Sequence, residues 1–203
     1  MSRPLVLACG ALVSELRAVL AADGLGDTVE VRYLPANLHN RPERIVPALT
    51  ELLDELDPRG ERPVLLGYGD CGTGGALDAF VAERPNVRRL PGNHCYEFFS
   101  GTSVFEALAA DELGTFWLTD FLAKHFRALV WEGLGLDRHP ELLSAYFGHY
   151  TRLVLLSQTT DPDALDSVVA AAQDAAGRLG LRFEHHPTGL SAFAAAVTKG
   201  TAA

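Results

Sequence analysis

Basic residues are scarce in this chain: 17 Lys and Arg stand against 26 Asp and Glu, a formal net charge of −9, and only two of the 17 are lysines. A balance of that sign argues against the basic face that nucleic-acid binding needs, and it equally disfavours docking on an anionic membrane. Long apolar runs are missing too. No stretch of about 18 uninterrupted apolar residues occurs, so no segment reads as a membrane span. The opening MSRPLVLACG has too short an apolar run, too soon followed by a helical pattern, to read as a signal peptide. Cysteine is rare, three in 203 residues, with no CxxC and no close pair. An odd count at wide spacing without a secretion signal predicts a reduced, cytoplasmic chain whose thiols are free or metal-bound. A chain of this length buries roughly 70% of its unfolded surface, so it needs neither disulfide nor metal merely to fold.

What is present alternates. Leu5–Ala8, Val29–Leu34, Pro63–Tyr68, Val87–Leu90, Arg152–Ser157 and Leu181–Glu184 are short runs rich in Leu and β-branched Val and are predicted strands. Between them Ser14–Ala22, Arg44–Leu56, Gly74–Glu83, Asp163–Leu179 and Ser191–Val197 carry helical spacing. In the second of these the stripe includes Ile45, Leu49, Leu52 and Leu56, with Pro42 and Glu43 in the first turn and Asn40 as the N-cap. Strands alternating with helices imply βαβ units, so the expected fold is α/β, with a mainly parallel sheet of about five to six strands and flanking helices. A single domain over 1–203 is expected, because no repeat, low-complexity tract or linker divides the chain. Its middle, about 95–150, reads as a helical insert rich in aromatic residues, Phe116, Trp117, Trp131 and Tyr150 among them. Such rings belong in a core or on the face of a homodimer.

In an open α/β sheet, ligands bind outside the carboxyl ends of the strands, and that rule turns the strand order into a map. Cys9 follows the first strand and His39 the second, in LPANLHNRP. Asp70 and Cys71 follow the third in GYGDCGTGG, and His94 and Cys95 the fourth in PGNHCYE. All three cysteines therefore stand at strand exits. If exits cover about a quarter of the chain, chance produces that coincidence roughly once in 60. Separations of 62 and 24 residues exclude a local zinc knuckle and fit a site assembled from neighbouring strands.

Three thiolates make a soft donor set for Zn²⁺ or an iron–sulfur cluster, and three protein ligands leave one coordination position open for chemistry. His39 and His94 are the candidate fourth ligands, and either would close the site into a structural one. The plainer alternative is that each cysteine is a small buried hydrophobe. The glycines around Cys71 let backbone approach a ligand, which makes Gly69, Gly72, Thr73 and Gly74 the candidate cofactor-binding residues. The helix start after them would offer free amides to an anion and lower the Cys71 thiol pKa. The loop matches neither GxxxxGK(S/T) nor GxGxxG, so a nucleotide reading is weak. Asp70 and Glu97 are the acidic candidates for proton transfer, with His94 beside them. His185 and His186, after the last strand, are a further pair at a strand exit.

Together, the early cysteine after the first strand, LPANLHNRP, LLGYGDCGTGG, the Asn93-His94-Cys95 turn and GTFWLT at 114–119 resemble the domain-of-unknown-function family DUF1638. The resemblance runs from residue 5 to about 120, and the last third is similar in layout only. In that family the turn before the third cysteine usually reads His-Asp-Cys, whereas here the histidine stands one position later. The resemblance implies a context. The family's genes accompany corrinoid-dependent methyltransferase systems, so one-carbon metabolism is expected, with a corrinoid protein or a methyltransferase as partner.

The leading expectation is a metal-dependent enzyme of small-molecule metabolism. Cys9, Cys71 and Cys95 would hold Zn²⁺, whose open position activates a substrate thiol, water or carbonyl. A [4Fe–4S] cluster on the same residues would instead present one open iron as a Lewis acid for desulfuration or dehydration. A reading of another class is a non-catalytic metal- or corrinoid-binding accessory protein. A thiol-redox enzyme is disfavoured by the lack of a close cysteine pair.

Overall fold

A computed structural model describes residues 3–201. The first elements are β1 (Leu5–Cys9), α1 (Val13–Ala22), β2 (Glu30–Leu34), α2 (Ile45–Leu56), β3 (Val64–Gly67), α3 (Ala76–Ala82), β4 (Val87–Arg89) and α4 (Cys95–Ser100). They are followed by α5 (Thr102–Asp111), β5 (Thr115–Thr119), α6 (Asp120–Lys124), α7 (Leu143–Phe147), β6 (Arg152–Ser157), α8 (Pro162–Leu179), β7 (Arg182–Pro187) and α9 (Ser191–Thr201). The chain forms two compact units, one of residues 3–98 with 192–201 and the other of Phe99–Ser191. The boundaries fall inside α4 and one residue into α9, so no linker composition marks them.

The fold is α/β, and the described strands pair in parallel throughout. They lie in two sheets, ordered β2-β1-β3-β4 and β5-β6-β7, where a single sheet was expected. The added strand is β5. Its sequence TFWLT lies within the expected helical insert, yet it pairs with β6 from Thr115↔Arg152 to Thr119↔Leu156.

In the first unit β1 is buried from Leu5 to Ala8 and β3 throughout, apolar runs covered on both faces as central parallel strands are. A Cβ on Gly67 would lie 2.6 Å from that of Ala8, so glycine sets how closely β1 and β3 approach. On the edge strand β2, Glu30 pairs with Arg32 and Arg62, each at 2.7 Å. Helix α2 buries Ile45, Leu49 and Leu53 in the core shared with β1 and β3. Asn40 does not cap it. Two 3-10 turns, Ala36–Asn40 and Pro42–Arg44, come between, and Arg44 occupies the N-cap position without a side-chain bond. Helix α9 completes this unit. Phe193 stacks on Phe98 with ring centroids 5.4 Å apart, and Thr198 Oγ1 donates to Asp23 Oδ2 at 2.6 Å.

In the second unit α8 packs on α6, β6 and β7. Asp161 caps it by accepting the Ala164 amide at 2.9 Å, Pro162 fills its first turn, and Gly180 ends it at φ +69°, the expected stop and start chemistry. Arg152, 2% exposed, starts β6 and binds Asp111 at 3.0 Å, Glu184 at 3.1 Å and the Leu108 carbonyl at 2.6 Å. At the other end of the strands Asp120 accepts the Gln158 amide at 3.0 Å and the Thr159 amide at 2.8 Å, clasping the exits of β5 and β6.

Candidate functional site

Because the first sheet runs β2-β1-β3-β4, the three cysteines leave three adjacent strands. Cys9 ends β1, and its Sγ accepts the Ala11 amide at 3.5 Å. A Cβ on Gly10 would lie 2.8 Å from the Leu34 carbonyl, so the exits of β1 and β2 touch. The loop after β3 is stitched to the loop after β4 by two backbone bonds, from Asp70 N to the Gly92 carbonyl at 3.0 Å and from Cys71 N to the Asn93 carbonyl at 2.7 Å. A Cβ on Gly69 would stand 3.0 Å from that Gly92 oxygen and 3.1 Å from the His94 nitrogen. Cys71 itself has φ +52°, a left-handed conformation that costs an L-residue about 1–2 kcal/mol. Strain of this kind persists where surroundings over-determine it, and it clusters at functional sites. Cys95, beyond the stitched loop, opens α4.

Charge on Cys9 reaches Cys71, and charge on both reaches Cys95, so the three sulfurs share one electrostatic environment. Burial, followed by the charge of Cys9, pushes the Cys71 thiol up to about 12. Burial likewise raises Cys9 and Cys95. The expected lowering of Cys71 by a helix start is thus overturned. Helix α3 begins only at Ala76, and desolvation outweighs what the backbone supplies. Amides still favour each thiolate, from Ala11 at Cys9, Gly69 at Cys71, and Cys95 and Tyr96 at Cys95. As they stand these are neutral thiols, poor nucleophiles that become thiolates when a cation replaces their protons. Among the described residues no group of three or more His, Cys, Asp or Glu side chains is arranged to hold a metal ion.

Tyr68 is the residue that sequence reasoning passes over. It follows β3 directly, one step beyond the Ala8↔Gly67 pair, which sets it beside Cys9. It is 2% exposed, with its hydroxyl buried. Burial first, then the charges of Cys9 and Cys71 and the polar contact with the Cys9 sulfur, raise its proton affinity. Its only signal in the sequence is a phenol closing an otherwise apolar strand, just before GDC.

The other candidates shape the loops. Asp70 Oδ1 accepts from Thr73 Oγ1 at 2.6 Å and the Gly75 amide at 3.0 Å, and Oδ2 accepts the Gly74 amide at 3.1 Å. The amides expected to face an anion therefore face the chain's own carboxylate. Burial opposes the ionised form, but the Thr73 hydroxyl and these amides hold the Asp70 carboxyl below its ordinary value. Gly72 and Gly74 supply φ values of +81° and +63°. Glu97 Oε2 accepts the Asn93 amide at 2.9 Å, and Arg89 anchors the same turn by donating to the Leu90 and Gly92 carbonyls at 2.8 and 2.9 Å. His94 is exposed, its ring 5.9 Å from that of Tyr96. His39 keeps much of its surface in water, yet local desolvation, then the charge of His94, pulls its imidazole below the ordinary value. The structure thus brings these two histidines within electrostatic reach of one another.

His185 and His186 belong to the second unit. There His185 Nε2 lies 2.9 Å from Ser157 Oγ, and His186 Nε2 lies 3.8 Å from Glu184 Oε2.

Fold and site together define an α/β protein with a half-buried three-thiol edge on a four-stranded parallel sheet. The family described as "Protein of unknown function (DUF1638)" matches the chain over residues 33–197, and the chain belongs to it. The match takes in His39, Cys71 and Cys95 and begins after Cys9. No curated protein and no solved structure matches the chain. No helix among the described residues is long and apolar enough to cross a membrane.

Proposed function

We propose that this protein is a cytoplasmic metal-centre enzyme of small-molecule metabolism, with the centre held by Cys9, Cys71 and Cys95. The observation that carries this reading is the placement of the three cysteines at the exits of three adjacent strands, with their charges coupled. Each sulfur is also served by a backbone amide, as thiolate ligands are in metal and cluster sites. The donor chemistry fits Zn²⁺ or a [4Fe–4S] cluster. Either group, when bound, supplies a Lewis acid with one position open to substrate. His39 and His94 stand at the flanking exits and can hold or move a proton there, whereas Asp70 and Glu97 are committed to loop structure.

Sulfurs on the corners of a cluster lie roughly twice as far apart as those around one zinc, so the two readings differ in the sulfur spacing they require. The expected context is one-carbon metabolism beside a corrinoid protein or methyltransferase, where a non-catalytic accessory would hold the same centre without turnover.

Metal and acid-labile sulfide analysis of anaerobically purified protein tests the reading. Iron with matching sulfide identifies the cluster, and zinc without sulfide the single ion. Cys71→Ser should stay folded, because Cys71 lies outside the strands, and should lose most bound metal. Undiminished metal in that variant overturns the three-cysteine centre.

A further inference from the structure

We infer that the first unit carries a binding site for a small polyanion, a compact carbon skeleton bearing two or more carboxylate or phosphate groups, held by Arg3, Arg17 and Arg32. The site lies between α1 and the outer edge of β2, toward the amino-terminal ends of the strands. The cysteines stand at the opposite ends, and the site does not depend on what they bind.

A cavity of about 340 Å³ opens there, at the lower end of the range that small ligands occupy. Three arginines line it against one carboxylate, that of Glu30, in a chain whose net charge is −9. That carboxylate is already shared, 2.7 Å from Arg32 and 2.7 Å from Arg62. The buried Glu15 of α1 also acts on Tyr33 by its charge, but it does not line the cavity. The guanidiniums are otherwise held by uncharged groups. Glu30 turns its backbone to β1, its amide donating to the Pro4 carbonyl at 2.9 Å, so the carbonyls of Val29 and Val31 face out from this edge strand. Arg3 donates to the first at 2.8 Å and Arg32 to the second at 3.2 Å. Arg17 reaches across from α1 into polar contact with the Tyr33 hydroxyl. A guanidinium pinned by a neutral acceptor keeps its charge, and the rest of its donor fork, for a ligand. Covering a sheet edge would account for Arg3 and Arg32, but not for Arg17 on the neighbouring helix. Leu20 and Ala21 add an apolar wall against which a carbon skeleton can rest. Guanidiniums give up no proton, so the site holds its ligand rather than transforms it.

Citrate and methylenediphosphonate are the probes for the two kinds of anionic group, with chloride at matched ionic strength as the blank. Titration calorimetry and melting temperature read the binding. At least one probe should bind at one site per chain and raise the melting temperature, and the tighter of the two names the anionic group. Arg17→Gln should weaken that binding about tenfold, the loss of one charge-assisted hydrogen bond, and Arg17→Lys should recover part of it. Without ligand, Arg17→Gln should melt as the wild type does, because the side chain is exposed. Arg138→Gln removes the same charge from an exposed position in the second unit and should bind as tightly as the wild type. Affinity that Arg17→Gln leaves unchanged, whatever happens to its melting temperature, makes that arginine structural and overturns the inference. Equal weakening by Arg17→Gln and Arg138→Gln reduces the binding to diffuse attraction and overturns it too. So does a wild type that binds neither probe more than chloride.

Discussion

The amide of Cys71 donates to the carbonyl of Asn93 at 2.7 Å, so one cysteine loop is held by the loop that leads into another. Together with the neighbouring bond from Asp70 to Gly92, it fixes the spacing between the β3 and β4 exits before any ligand arrives. Preorganisation of this kind lowers the ordering that binding must otherwise supply.

That spacing is sensitive to one hydrogen atom. Gly69→Ala would place a Cβ 3.0 Å from the Gly92 oxygen and force the loops apart. A loss of about 1–3 kcal/mol in urea denaturation is expected, together with reduced metal content. Gly74→Ala is the control. It has φ +63° but nothing within 4 Å of a new Cβ, so it should cost about 1 kcal/mol through backbone strain and leave metal content alone.

Removal of Arg152 should be the most damaging surface-distant change in the second unit. Its guanidinium is 2% exposed and serves Asp111, Glu184, Thr115 and the Leu108 carbonyl. Arg152→Met would leave the Thr115 hydroxyl and Leu108 carbonyl without their donor and Glu184 with Arg182 as its remaining arginine partner, at about 2–3 kcal/mol. Arg152→Lys should recover part of that, since it restores charge without the planar fork. Chemical denaturation of the two variants beside the wild type measures both effects.

Asp120→Asn is a finer test of the β5–β6 clasp. Each carboxylate oxygen accepts a backbone amide, from Gln158 and Thr159. An asparagine offers one oxygen, and its NH₂ group would face a donor. About 2 kcal/mol of stability should be lost, and a variant as stable as the wild type would mean the clasp is not strained by the exchange.

The second unit should also weaken in mild acid. Burial, and after it the charge of His186, holds the His185 imidazole below its ordinary value, against the pull of Asp120. The unfolded chain therefore takes up that proton first, at about pH 6.5. The stabilising contribution is complete above that pH and is lost as pH falls through the lower folded value. Melting temperatures between about pH 7.5 and pH 5 should fall more steeply in wild type than in His185→Gln, and equal slopes would contradict this.

Strand β6 is legible in the sequence to the residue, Arg152–Ser157, because a four-residue apolar run, Leu153–Leu156, bounded by Arg and Ser has no room to be a helix. The cysteine positions are legible as well, since a strand order plus the strand-exit rule places them before any coordinate is known. Strand β5 is not. Its rings suit a helical insert, and pairing with β6 decides the matter through contacts between Thr115–Thr119 and a segment far along the chain. The Asp70 carboxylate filling its own loop depends on positive φ at Cys71, Gly72, Gly74 and Gly75, a run no composition announces. The setting of the Tyr68 hydroxyl is hidden for a similar reason: letters record that a phenol is present, and only packing records that it is sealed from water beside Cys9. The motifs that resemble the family stop near residue 120, whereas the family match continues to residue 197, through a last third held together by general helix and strand pattern.

The first unit takes its closing helix from the far end of the chain: Phe193 stacks on Phe98, and Gly200 lies against Leu65 of β3. On a ribosome, then, the sheet that carries the cysteines emerges early and waits. The strands β1 to β4 are translated while α9 does not yet exist, and the surface that Phe193 and Val197 will cover stays open until the whole of Phe99–Ser191 has been made. Whatever shields that apolar surface during synthesis must hold for the length of that delay.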